Sequence, residues 1–137
     1  MTYEKVTAYI PALEAGLDME WIEDRRELAP GEPRHFPYVR YGPEVYEFLD
    51  SFYGIPAVTD YEDTLDELGL WHRKEGIYSL RVEETPGEII CGLFFRVRRA
   101  ERFSEGSIWS FIDSGFALRC LRRLKALDGK TRPADVR

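Results

Sequence analysis

Four arginines stand within seven residues, in the segment RVRRAER, and carboxylates and a tryptophan follow them. Two of the arginines are three residues apart, so on a helix they would project from one side and could hold a phosphate or a carboxylate. The segment therefore predicts a binding or interaction groove near residues 99–113, together with one tyrosine from an aromatic segment upstream. The candidate groove residues are Arg99, Arg102, Glu105, Trp109, Asp113 and Tyr38.

Nucleic-acid or phosphate-ligand binding is a first alternative. A helix start near Ser107 would offer free backbone N–H groups to an anion, and Trp109 could stack on a base. The last predicted helix would extend such a site with a basic outer face of Arg119, Arg122 and Arg123. However, the sequence has no helix-turn-helix, zinc finger, RNP motif or P-loop, and its formal net charge is −6.

A small enzyme is the second alternative. A carboxylate of the same segment, Glu101, Glu105 or Asp113, could perform acid–base chemistry beside an arginine. No G-x-S-x-G, H-E-x-x-H or G-x-G-x-x-G motif accompanies these residues, so no complete catalytic set is visible. The sequence therefore favours a non-catalytic module.

The same charges also have a purely structural interpretation. Glu105 could pair with Arg99 or Arg102 and hold a junction between two helices without binding any ligand. Charge is segregated along the chain: residues 1–95 hold 8 Lys and Arg against 20 Asp and Glu, whereas residues 96–137 hold 11 against 5. The acidic part could neutralise the basic part within one molecule, or within a pair of molecules. A protein partner or self-association is therefore the favoured kind of interaction.

No metal site or cofactor is predicted. The two cysteines, Cys91 and Cys120, form no C-x-x-C pair, and both fall at apolar helical positions, which is typical of buried thiols. His35 and His72 stand alone. A chain of 137 residues with 44% hydrophobic residues predicts one domain over 1–137. Without a signal peptide or a membrane-spanning run, we expect a cytoplasmic protein that makes no use of a membrane.

The apolar spacing predicts a mainly α fold of about five helices with a short extended segment near 36–41. A first helix is expected over 3–15, in which Pro11 favours a kink or an early stop, and residues 18–34 are expected to form an acidic loop. Phe36, Tyr38 and Val39 are expected to pack inward from the extended segment. A helix that opens at Pro43 and ends at Gly54 follows, and the segment 59–71 is expected to form an acidic helix that ends at Gly69.

Residues 77–97 allow two interpretations. One is a β-hairpin turning at Pro86-Gly87, which would make the fold α+β. The other, which we favour, is a long helix with Thr85 as N-cap in a capping box, continuing to Phe103. A short helix from Ser107 and a last helix over 116–127 complete the set, and residues 128–137 are expected to be a frayed tail.

Two blocks of the chain resemble a bacterial family of small uncharacterised proteins, a domain of unknown function. The first block carries the family pattern R-a-[DE]-R-F-x-E-G, here RAERFSEG, and the second carries F-P-Y-x-x-Y, here FPYVRY. Where the family carries an aspartate followed by tryptophan, this chain has Asp60-Tyr61. The resemblance implies a compact, mainly helical single domain and leaves the function open.

Overall fold

The chain begins with two short helices, because Pro11 divides the first predicted helix. In this computed structural model, which describes residues 2–130, α1 spans Glu4–Thr7 and α2 spans Ile10–Ala15. Pro11 is the second residue of α2, where a missing N–H costs no helical hydrogen bond. Gly16 follows with a φ of 98° and ends α2, as the sequence predicts.

The predicted acidic loop contains a strand that the sequence analysis missed. β1 (Met19–Ile22) pairs antiparallel with β2 (Tyr38–Tyr41), so that Trp21 lies opposite Val39. The Gly42 N–H donates to the Asp18 carbonyl at 2.7 Å and continues the pairing beyond the strands. A four-residue strand has too short a pattern to be seen without its partner, so the prediction of a loop was wrong here.

The sheet also turns a different set of side chains inward than expected. Val39 is buried, but Phe36 is 91% exposed and Tyr38 is 49% exposed. Successive side chains of a strand point to opposite faces, so burying Val39 places Tyr38 on the outer face. The inward packing predicted for Phe36 and Tyr38 was wrong.

The next two helices form where the sequence predicts them, although the first ends at Asp50, before the predicted end at Gly54. α3 spans Pro43–Asp50 and α4 spans Glu62–Leu68. Gly69 ends α4 in the left-handed conformation, with φ at 65°. The predicted apolar stripe of α3 is buried, as are the leucines on either side of the α4 terminus; these residues are Val45, Phe48, Leu49, Phe52, Leu65 and Leu70.

In residues 77–97 the structure contains the predicted helix and not the alternative β-hairpin. α5 spans Gly87–Ala100, and three 3₁₀ turns at 73–75, 77–79 and 82–84 lead into it. The predicted capping box does not form: Pro86 is the N-cap, and the Thr85 hydroxyl donates to the Arg81 carbonyl at 2.9 Å. The helix also ends at Ala100, before Phe103, which is 86% exposed.

Two further helices close the fold. α6 spans Ser107–Asp113 and α7 spans Phe116–Lys130. α7 therefore continues past Leu127, where the sequence analysis ended it. The rest of the predicted frayed tail, 131–137, lies outside the described residues.

Phenylalanines from four helices form the centre of the core. The Phe52 and Phe94 rings stack with centroids 4.2 Å apart, and Phe48 and Phe111 meet Phe94 edge-on at 5.6 and 5.0 Å. Phe111 in turn contacts Phe116 at the start of α7. These contacts join α3, α5, α6 and α7 into one unit, and the predicted mainly α, single-domain fold is confirmed. Within residues 2–130, no helix is long and apolar enough to cross a membrane.

Candidate functional site

Glu101 holds the junction between α5 and α6. One carboxylate oxygen accepts the Ile108 N–H at 2.8 Å and the Tyr41 hydroxyl at 3.0 Å, and the other accepts the Gly106 N–H at 2.9 Å. The Tyr41 oxygen in turn accepts the Trp109 N–H at 3.0 Å. The carboxylate thus binds the N–H groups that a helix start leaves without partners and ties them to β2.

The Tyr41 hydroxyl stays protonated within this junction. Burial raises the pKa of Tyr41 well above its usual value, and the Glu101 carboxylate raises it further, while the Trp109 N–H opposes the change. Because the neutral hydroxyl both donates and accepts, it can link Glu101 to Trp109.

Gly106 allows the sheet to approach this junction closely. Its φ is 95°, and a Cβ at this position would lie 3.1 Å from the Trp21 ring. Trp21 also packs against Trp109, with ring centroids 6.3 Å apart. The inner face of the sheet therefore packs against the turn between α5 and α6.

Glu105 accepts a hydrogen bond from the sheet and does not pair with the nearby arginines. Its Oε2 accepts the Val39 N–H at 2.8 Å, which satisfies an outer-edge donor of β2. Among the described residues it forms no ion pair with Arg99 or Arg102, so the predicted pairing is absent. The junction is held by carboxylates bound to backbone N–H groups.

Four of the seven arginines in residues 96–130 pair with carboxylates of the acidic part. On α5, Arg96 contacts Glu62 and lies over the Tyr61 ring at 4.7 Å, and Arg98 contacts Asp50. The intramolecular neutralisation suggested by the charge distribution is therefore present in this region.

The outer face of α7 is similarly paired. Arg119 makes two hydrogen bonds to Glu83 at 2.7 and 2.5 Å, and Arg122 binds Glu14 at 3.0 Å. The Arg123 Nε donates to the Thr85 carbonyl at 3.0 Å. The three arginines predicted as a basic face are thus each engaged within the molecule.

Arg99 and Arg102 differ from these residues. Both are exposed, and neither forms an ion pair within residues 2–130. The Arg102 N–H donates to the Arg99 carbonyl at 3.1 Å, so the two lie one helical turn apart. They line a depression of about 420 Å³, here called the arginine groove, whose other lining residues are Tyr46, Tyr53, Phe95, Arg98, Glu101 and Ile108.

The remaining predicted site residues lie elsewhere. Trp109 packs on Trp21 and does not line the arginine groove. Asp113 is exposed at the end of α6, and Tyr38 is on the outer face of the sheet. Glu105 borders a different depression. The structure therefore brings together Arg99 and Arg102 but places the other four predicted residues outside this groove.

That second depression also has a volume of about 420 Å³ and lies between α5, α6 and the turn at 77–79. Its floor is apolar, with Leu93, Val97 and Phe111 among the residues that form it. We call it the serine cleft, after the three serines on its lining, Ser104, Ser107 and Ser110.

Comparison with known families decides where this chain belongs. A family of unknown function, DUF6508, matches residues 2–130. The chain belongs to DUF6508. Its predicted resemblance to a domain of unknown function is thereby confirmed. Comparison of the chain with curated proteins and with solved structures found no match.

Sequence reasoning missed several residues that matter in this DUF6508 chain. Tyr46 on α3 and Tyr53 in the turn after α3 line the arginine groove, and the sequence analysis predicted neither of them there. Glu101 was considered only as an acid–base candidate, and Tyr41 was not considered as its partner. The one available signal was the spacing of the two tyrosines, which lie seven residues apart in a segment predicted to be helical.

The thiols of this DUF6508 chain are buried and free. Burial raises the pKa of Cys91 to about 12, and it raises the pKa of Cys120 as well. Both thiols therefore remain protonated at neutral pH, as expected for cysteines that serve as small apolar side chains. No group of three or more metal-ligating side chains occurs among residues 2–130.

We expect the stability of this DUF6508 chain to fall in acid. The hydrogen bond from Arg96 holds the pKa of Glu62 below its usual value, and that from Arg119 does the same for Glu83. A carboxyl whose pKa is lowered by folding stabilises the protein above its unfolded pKa of about 4.3, and this contribution disappears as pH falls through the folded pKa.

Urea unfolding at several pH values between 3 and 7 measures this effect. Both pairs are partly exposed, so each should contribute less than about 1 kcal/mol. A Glu62→Gln/Glu83→Gln variant should be slightly less stable at pH 7 and lose less stability on acidification. Parallel curves for the native and variant proteins would contradict the prediction.

Proposed function

We propose that this protein is a non-catalytic binding module whose arginine groove holds a short acidic segment of another protein. The observation that carries the proposal is the contrast between the arginines. Arg96, Arg98, Arg119 and Arg122 have carboxylate partners within the molecule, whereas Arg99 and Arg102 have none among the described residues. Two adjacent uncompensated cations are suited to a ligand that brings its own carboxylates.

The groove walls support a ligand with apolar as well as acidic side chains. Tyr46 and Tyr53 are 43% and 60% exposed, and the Tyr53 ring meets Phe95 at 6.0 Å. Exposed aromatic rings beside arginine are enriched at the centres of protein interfaces, because they bury much apolar area at little cost in conformational entropy. An acidic segment carrying one aromatic or aliphatic side chain would use both features.

A peptide fits this charge arrangement better than a nucleic acid does. A nucleic-acid site depends on many phosphate contacts, and within residues 96–130 only Arg99 and Arg102 lack an internal partner among the arginines. The net charge of −6 repels an extended polyanion, and Trp109, the ring predicted to stack on a base, is packed on Trp21. These observations favour a short anionic segment over a long charged strand.

A catalytic role is disfavoured by the environment of Glu101. This is the carboxylate that lines the groove beside Arg99 and Arg102, and both of its oxygens already accept hydrogen bonds from the junction. A carboxylate whose oxygens are held by the Tyr41 hydroxyl and by two backbone N–H groups is not free to meet a substrate. Its surroundings support a positioning role in the fold.

Fluorescence anisotropy with labelled short peptides tests the proposal. The probe is a peptide in which glutamates alternate with phenylalanine and leucine, and its comparison peptide carries glutamine at every glutamate. We expect the acidic probe to bind with an affinity that falls as salt rises. Replacing Arg99→Ala and Arg102→Ala together should weaken binding about tenfold or more.

The matched control removes the same charge elsewhere. Lys74 and Lys125 are exposed and form no ion pair among residues 2–130, so Lys74→Ala/Lys125→Ala should leave binding unchanged. Equal weakening in both double variants would mean that only net charge matters, and the proposal would fail. Tighter binding of a short oligothymidylate than of the peptide would favour the nucleic-acid alternative. A concentration-dependent mass in the absence of peptide would point to self-association.

A further inference from the structure

The serine cleft has the size and lining of a small-molecule site. Its volume of about 420 Å³ lies within the range of cavities that hold small organic ligands. α5 contributes Leu93, Val97 and Ala100 from one face, and α6 contributes Phe111. Tyr61 and Tyr78 also line the cleft. A flat or branched apolar group could therefore be enclosed between the two helices and these tyrosines.

Two charged side chains line the cleft, and only one of them has a partner of opposite charge among the described residues. Arg96 is neutralised by Glu62 and covered by the Tyr61 ring. Glu105, the carboxylate on the lining, forms no ion pair within residues 2–130. One of its oxygens accepts the Val39 N–H, and the other has no hydrogen bond in this part of the chain. The unbalanced charge of the cleft is therefore negative.

We infer that the serine cleft binds a small primary amine with an apolar or aromatic body. The ammonium group would bind the unoccupied oxygen of Glu105, and the body would lie on the floor formed by Leu93, Val97 and Phe111. The hydroxyls of Ser104 and Ser110 make no hydrogen bond among the described residues, so they are available as acceptors for the other ammonium hydrogens. Aromatic walls add to the attraction for a cation.

This site is separate from the arginine groove. The lining of the cleft uses Arg96, Val97 and Ala100, whereas the groove uses Arg98, Arg99 and Arg102. The two depressions therefore lie on different sides of the same helix end. Their uncompensated charges are opposite, so a ligand suited to one is repelled by the other. Failure of the amine site would leave the peptide-binding proposal unaffected.

Isotope-edited NMR titration with 2-phenylethylamine tests the inference. The comparison ligands are 3-phenylpropionate, which carries a carboxylate on a similar body, and 2-phenylethanol, which is neutral. We expect the amine to shift the backbone resonances of residues 104–111 and to bind most tightly of the three. Preference for the carboxylate would mean that Arg96 dominates the cleft, and this result would overturn the inference. The absence of shifts with all three ligands at millimolar concentration would also overturn it.

Two variants assign the binding to this cleft. Glu105→Gln keeps an acceptor for the Val39 N–H but removes the charge, so it should weaken amine binding about tenfold. Ser110→Trp should fill the cleft and abolish binding, because the Ser110 side chain is exposed and makes no hydrogen bond among the described residues.

The matched control for lost negative charge is Glu44→Gln. Glu44 is exposed on α3 and forms no ion pair in the described part of the chain. Its replacement should leave amine affinity unchanged. Unchanged affinity in both cleft variants, with folding verified by the same spectra, would place the amine elsewhere and refute the assignment.

Discussion

Replacing Gly92 with alanine should lower the free energy of unfolding by about 3 kcal/mol or more. A Cβ at this position in α5 would lie 1.8 Å from the Val58 carbonyl oxygen and 2.6 Å from its carbon. These are backbone atoms, and the Val58 N–H is itself bonded to the Glu88 carbonyl at 2.9 Å, so the connector cannot move aside freely. The helix and the connector would have to separate. For a chain of this length, the melting temperature should fall by about 10 °C.

Gly129→Ala is the matched control for that substitution. Gly129 also lies in a helix, α7, but a Cβ there would meet no atom of the described residues within 4 Å. Helix propensity alone favours alanine over glycine by up to about 1 kcal/mol, so this variant should be unchanged or slightly more stable. Urea unfolding of both variants compares the two effects directly. If Gly92→Ala were as stable as the native protein, the result would contradict the close contact between α5 and residues 58–59.

Replacing Glu101 with alanine should cost about 3 kcal/mol. The change leaves the N–H groups of Gly106 and Ile108 and the Tyr41 hydroxyl without their acceptor. Desolvated donors without partners carry the largest penalty in hydrogen-bond substitutions, and here three depend on one carboxylate. Chemical unfolding measured by circular dichroism gives the loss, and near-ultraviolet signals from Trp21 and Trp109 should change with it.

Two comparisons separate this effect from a general loss of charge. Glu105→Ala removes a carboxylate with a single backbone bond, to Val39, and should cost only about 1 kcal/mol. Glu101→Gln keeps one strong acceptor and should fall between the two alanine variants. Equal losses for Glu101→Ala and Glu105→Ala would contradict the central position of Glu101 in the junction.

The two depressions depend on this junction. Glu101 fixes the direction of the chain after α5, which leaves Arg102 beside Arg99 and turns Glu105 toward β2 and the serine cleft. A variant of Glu101 should therefore disturb both proposed binding sites. Variants of Arg99, Arg102 or Ser110 should disturb one site only, because their side chains make no bond that holds the junction.

Local pattern was sufficient for much of the fold. The stripe of Val45, Phe48 and Leu49 determined α3, and the glycines at 16 and 69 ended their helices as expected. The length of the apolar pattern favoured α5 over a hairpin, and the segregation of charge indicated that the acidic part could neutralise the basic part, as Glu83 does for Arg119. These features depend on neighbours within one or two helical turns, so a single sequence contains the information.

Only the tertiary structure decided the strand at 19–22, the inner face of the sheet and the partners of the carboxylates. β1 exists because β2 supplies its hydrogen bonds, and Val39 faces inward because Trp21 and Gly106 meet it there. Glu105 binds Val39 and Glu101 binds Tyr41 across more than fifty residues of chain. From the sequence alone, nearby arginines were the obvious partners for Glu105. A strand edge and a helix start leave backbone N–H groups without partners, and a carboxylate that accepts from them removes the cost of leaving them unpaired. The positions of these N–H groups are defined only when the chain is folded.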